Sequence, residues 1–216
     1  MKTHLKLTIV LFAAIAALFF LVSKNHKFSS KPVKNITVLN NKTTVISRDA
    51  RKVDSMAFKR LIPFFKLKKD EFDASGTVTY LPKGSPEKPK SNAFYCYFEH
   101  INDSVGNLRV RMQVENKEWL FYKKCQFLID GVVYDYTPSD IEFSEGGAGA
   151  ICEWFDNAVN QDNYSIIKAL SVAKAAKVKV YGRHYDKIFI LSNDQLLSID
   201  HTLNLYTALN GDLAFK

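Results

Sequence analysis

An Asp-Gly pair in the middle of KEWLFYKKCQFLIDGVVYDY, residues 117–136, constrains the fold of this chain more than any other feature. Two-residue hairpin loops favour type I′ turns, which need positive φ at both central residues, and Asp-Gly supplies them. Such a loop also fixes the register of the strands it joins. Ile129 then faces Val132, Phe127 faces Tyr134 and Cys125 faces Tyr136, all six apolar or aromatic and all on one face. The other face pairs Leu128 with Val133 and Gln126 with Asp135. Turn chemistry and burial pattern agree, as in real structure. The aromatics that suggest a binding surface are therefore explained by a hairpin with one buried face. Left over are Trp119, Tyr122, Lys123 and Lys124 at the end away from the turn, where any further role is to be sought.

The flanking segments read mostly as strands. GTVTYL at 76–81 precedes a Pro-, Gly- and Lys-rich loop, and AFYCYFEH at 93–100 is apolar on both faces, as in a central strand. LRVRMQVE at 108–115 alternates, with Leu108, Val110, Met112 and Val114 on one side. Arg109 and Arg111 lie on the other, as an anion patch or, by preference, as a plain solvated face. FSEGGAGA at 143–150 is a glycine-rich connection without the Gly-Lys-Ser/Thr of a phosphate loop. AICEWF at 150–155, VKVYGR at 178–183 and KIFILS at 187–192 complete the strands. Asp162 or Asn163 can cap a helix over 164–176, with Ile166, Ile167, Leu170 and Ala173 on one stripe. Ser192 can cap a last helix that runs to Leu209, with Gly211 as its C′ glycine. Strands followed by two late helices predict an α+β fold. Its antiparallel sheet has about six to eight strands, with two helices of the C-terminal half on one face.

Ahead of this fold the charge is unevenly spread. The 216 residues carry a net +8, with composition suited to one sizeable core. Residues 24–69 hold thirteen Lys and Arg against Asp49 and Asp54, whereas the chain beyond 69 is net acidic. Residues 7–22, LTIVLFAAIAALFFLV, are unbroken apolar sequence behind Lys2 and Lys6. That run is long for a signal-peptide core and short for a membrane span of about 17–25 residues. An uncleaved signal anchor at 1–23 is the favoured assignment, with a cleaved signal peptide and secretion as the alternative. A basic polar stalk at 24–55 and one α+β domain at 56–216 follow. An export signal places the domain outside the cytoplasm, although the lysines after the run argue for the opposite orientation.

The first domain segment, MAFKRLIPFFKLKK at 56–69, has two readings. Lys59, Arg60, Lys66, Lys68 and Lys69 can rest on an anionic membrane. The favoured alternative packs Phe58, Leu61, Phe64 and Phe65 inward, with Pro63 breaking a helix. For the basic stalk, anionic lipid is preferred over nucleic acid as a partner.

Catalytic motifs are missing from the sequence. His100, His184 and His201 fall on separate elements without metal-ligand spacing, so no cofactor or metal is expected. Cys96, Cys125 and Cys152 allow one disulfide and a free thiol after export, or three small buried hydrophobes. Glu153 stands out as a carboxylate between apolar residues, where burial would demand a partner. Arg183 is the candidate, in a structural ion pair or a polar site at the sheet end.

DEF at 70–72, FYCYF at 94–98, LRVRMQ at 108–113, EWLF at 118–121, IDG at 129–131, the Glu153 strand and AKAAKVKVYGR at 173–183 together resemble a group of bacterial envelope or lipoprotein-like domains. This resemblance covers residues 70–209. It implies the α+β fold and a membrane or secreted setting, and it carries no activity to any residue. The chain lacks the lipidation Cys of the lipoprotein members. The expectation is a membrane-anchored, non-catalytic binding or scaffolding module with an unidentified protein partner. The alternative is a small envelope enzyme or enzyme inhibitor with its site near Glu153.

Overall fold

A computed structural model describes residues 53–86, 88, 91–102, 104–145 and 150–214. The apolar run at 7–22 and the stalk up to residue 52 lie outside the described residues. Helix α1 (Ser55–Leu61) opens the described chain, capped by the Asp54 carboxyl, which accepts from Met56 and Ala57 N–H. Pro63 ends it, and a 3₁₀ turn (Ile62–Phe64) leads into β1 (Phe65–Lys69). Then come β2 (Val78–Pro82), β3 (Ala93–Ile101), β4 (Ser104–Asn116), β5 (Lys124–Ile129), β6 (Val132–Tyr136), β7 (Glu142–Glu145) and β8 (Ile151–Ala158). Helix α2 (Gln161–Ser171), β9 (Ala176–Tyr181), β10 (Asp186–Leu191) and helix α3 (Asn193–Ala208) follow.

The α+β class holds, but the strands do not form one sheet. Six make an antiparallel sheet in the order β1-β2-β3-β4-β8-β7, and four make a second in the order β10-β9-β5-β6. The division falls at residues 117–123. That stretch is apolar enough to continue β4 into β5, yet it forms neither strand nor helix. Phe121 breaks it with a left-handed φ of 49°. The helices number three among the described residues, because α1 adds one ahead of the sheets.

Alternation decides what each strand buries. Phe94, Phe98, Leu108, Val110, Met112 and Phe155 point inward from the larger sheet. Cys125, Phe127, Ile129, Val178 and Val180 point inward from the smaller one. The two sets meet directly, with Phe94 and Phe127 edge to face at 5.3 Å and Tyr136 against Phe155 at 5.2 Å. Helix α3 closes this core over β3: Phe98 packs on Tyr206 and Thr202 Oγ1 donates to the Cys96 carbonyl at 3.3 Å. Leu196, Ile199, Leu203 and Tyr206 of α3 are buried, as are Ile166, Ile167 and Leu170 of α2.

The hairpin register is as derived from Asp130-Gly131. Every expected pair of β5 and β6 is present, and φ is 44° and 89° at the two turn residues. Asp130 also accepts from the N–H groups of Lys174 and Ala175, which fastens the turn to the entry of β9. At three helix ends the outcome differs from expectation. Helix α2 stops at Ser171 instead of running to 176, where β9 begins. Asn160 caps α2 in a reciprocal box with Asn163, rather than Asp162 or Asn163 acting alone. Past α3 it is Asn210 that takes the left-handed φ, at 71°. Gly211 is small for a different reason: a Cβ there would sit 2.4 Å from the Tyr206 ring.

Candidate binding surfaces

Glu153 lies on β8 facing inward and is only 3% exposed. Its carboxyl oxygen accepts from the Leu120 N–H at 2.6 Å and the Phe121 N–H at 3.2 Å. No ion pair joins it to Arg183 among the described residues. The two nevertheless meet at one segment, because the Arg183 N–H donates to the Leu120 carbonyl at 2.7 Å. Leu120 is thus held from one side by β8 and from the other by the residues after β9. Gly182 allows that approach: a Cβ there would lie 2.2 Å from the Tyr185 carbonyl oxygen. A buried acid satisfied by backbone N–H groups needs no cation. Composition could flag Glu153, but not which backbone groups the fold brings to it.

The clamp has a consequence outside. A left-handed backbone is uncommon for a bulky side chain and persists where its surroundings enforce it. Here it turns Phe121 outward, 51% exposed and stacked on Trp119 at 5.5 Å. Phe143 of edge strand β7 meets Trp119 edge to face at 5.1 Å. Of the residues left over by the hairpin register, Trp119 belongs to this exposed cluster. Tyr122 does not: it is buried, with a hydroxyl that has no hydrogen-bond partner among the described residues, and burial pushes its pKa up. Lys124 pairs with Asp135 at 3.1 Å.

Arg109 and Arg111 are occupied. The β4–β8 register places Asp156 opposite Arg111, and Asp156 binds Arg109 at 2.8 Å and Arg111 at 3.3 Å. Tyr97 donates to the same carboxylate at 2.8 Å, and Arg111 lies over the Trp154 ring. Burial, together with that bond, raises the Tyr97 pKa. On this side of the sheet both arginines are tied to one carboxylate rather than standing as an open anion patch. Lys59 and Arg60 are exposed on the last turn of α1, Lys68 and Lys69 are exposed on β1, and Lys66 reaches the Ser85 carbonyl at 3.3 Å. The three cysteines are buried and unbridged. Among the described residues no His, Cys, Asp and Glu cluster could hold a metal, and no helix is long and apolar enough to cross a membrane.

The outward face of the four-stranded sheet is divided. At one end its polar groups satisfy one another: Lys124 with Asp135, Gln126 with Asp135 and Tyr181, Lys179 with Asp186. At the other end Leu128, Val133, Ile188 and Ile190 are exposed by 41–70% around Lys177. An antiparallel sheet with one solvated face ordinarily alternates apolar-in and polar-out, and this end does not. Comparison with protein-family models, curated proteins and solved structures found no match to the chain.

Proposed function

We propose that this chain is a membrane-anchored, non-catalytic binding or scaffolding module of a bacterial envelope. Residues 7–22 hold it in the bilayer and the domain faces away from the cytoplasm. The observation that carries the binding role is the bare apolar end of the four-stranded sheet. Leu128 and Val133 on one side of β9 and Ile188 and Ile190 on the other are in reach of one partner surface, and exposed apolar area of this kind marks interaction sites. Lys177, which β9 places between the two apolar pairs, favours a partner that brings a carboxylate to the centre of the contact.

The test is photo-crosslinking in the native envelope, with benzoylphenylalanine at Val133 or Ile190 of the full chain. A discrete adduct from both positions is expected. Ile188→Glu, exposed and therefore tolerated by the fold, should abolish it. Adducts no stronger than those from a probe at exposed Asn204 would sink the proposal. A periplasmic reporter fused to the C-terminus checks the orientation separately.

A further inference from the structure

A concave feature is built from residues other than those of that sheet face. A cleft of about 630 Å³ opens between residues 82–86, the start of β3 with Asn92 before it, and the first turns of α3. Its volume falls in the range of roughly 300–1,000 Å³ that small ligands occupy. One wall is aromatic: Phe64, half exposed, packs on His201 with ring centroids 4.2 Å apart. The other walls carry hydrogen-bonding groups with capacity to spare. Asn92 accepts from the Glu115 N–H through its oxygen, and Gln195 accepts from the Ser192 N–H in the same way. Each side chain thereby keeps an NH₂ group for a ligand. Ser85 lines the cleft and is 7% exposed, and its hydroxyl has no hydrogen-bond partner among the described residues. Asp194 is exposed in the first turn of α3.

We infer that this cleft binds a neutral saccharide. Sugar rings have an apolar C–H face that rests on an aromatic plane, and a rim of hydroxyls that pair with planar amides and carboxylates. Half-exposed Phe64, backed by His201, offers the plane, and Asn92, Gln195 and Asp194 offer the rim. An anionic ligand fits poorly. Lys83 is the one lysine among the described residues of the lining, and the Asp194 carboxylate offsets it at the helix terminus that would otherwise attract an anion. This inference is independent of the sheet face and of the membrane anchor.

The experiment uses the full chain in lauryldimethylamine oxide, a detergent without a sugar headgroup. Saturation-transfer NMR is recorded with maltose, cellobiose and N,N′-diacetylchitobiose, and with decaproline as a peptide probe. Saturable transfer to the ring protons of at least one disaccharide is expected. Phe64→Ala and His201→Ala should each weaken it about tenfold at an unchanged melting temperature. If either variant melts early, Asp194→Ala, at an exposed position, takes its place. No transfer from any of the three sugars overturns the inference. So does transfer that survives the variants unchanged, or binding of decaproline alone.

Discussion

Removing the Glu153 carboxyl should be the most damaging single-site change among the polar residues. In Glu153→Ala the Leu120 N–H stays in the interior without an acceptor, a loss of about 1–3 kcal/mol. The Phe121 N–H is only partly buried, so its loss adds about 0.5–1.5 kcal/mol. Against this, Phe121 is freed to leave its left-handed conformation, which returns part of a strain of about 1–3 kcal/mol. A net loss of about 1–3 kcal/mol follows, or roughly 2–12 °C in melting temperature for a domain of this size. Glu153→Gln keeps one acceptor oxygen and should lose about half as much. Circular-dichroism melts and urea titrations give the stabilities, and hydrogen exchange at the Leu120 amide reports the clamp itself. An alanine variant within about 0.5 kcal/mol of the parent, or a Leu120 amide exchanging no faster, would refute the role assigned to Glu153.

Three further outcomes are expected. The Ser75 hydroxyl, with help from Thr77, holds Asp73 well below the usual carboxylate range, and the N–H groups of Lys174 and Ala175 lower Asp130. A depressed folded pKa contributes stability that is present above the unfolded value of about 4 and is lost as pH falls through the folded value. The urea midpoint should therefore drop below about pH 4, and an Asp73→Asn, Asp130→Asn double variant should drop less; an equal drop counts against the assignment. Burial pushes the Cys152 thiol up to about 11 and Cys125 up to about 12, and raises Cys96 too. Iodoacetamide at neutral pH should leave all three cysteines unmodified until urea is added, and mass spectrometry of the native protein would expose any early labelling. Gly182→Ala should cost about 1–3 kcal/mol through its clash with the Tyr185 carbonyl, whereas Gly84→Ala, where a Cβ meets nothing, should melt close to the parent.

Local chemistry was legible in the sequence wherever a few adjacent residues settle the outcome. Asp130-Gly131 determined a register of five pairs, Ser192 capped α3, and the alternation of β4 identified its inward face. What stayed hidden depends on partners far along the chain. The 117–123 stretch has strand composition, and only Glu153, more than thirty residues later, explains why it breaks there. Arg109 and Arg111 looked open because Asp156 reaches them through a cross-strand register that no local signal announces. KIFIL at 187–191 reads as a strand, but nothing local says which of its isoleucines are covered. It lies on a sheet edge, with Ile188 and Ile190 outside. The cleft was illegible for the same reason: Phe64 and His201 are separated by most of the domain and meet only because α3 packs beside the 3₁₀ turn.

The double grip on Leu120 also bears on how the domain can respond to a bound partner. Glu153 belongs to the six-stranded sheet, and Arg183 extends from the four-stranded one. A single residue between them is bonded through its N–H to one sheet and through its carbonyl to the other, like a rivet through two plates. Lys187 of β10, reaching the Glu115 carbonyl on β4, adds a second fastening across the same seam. Sliding of one sheet over the other would have to break these bonds together. A load applied to the bare face of the smaller sheet is therefore carried through the seam to β4 and β8, and the two sheets move as one piece.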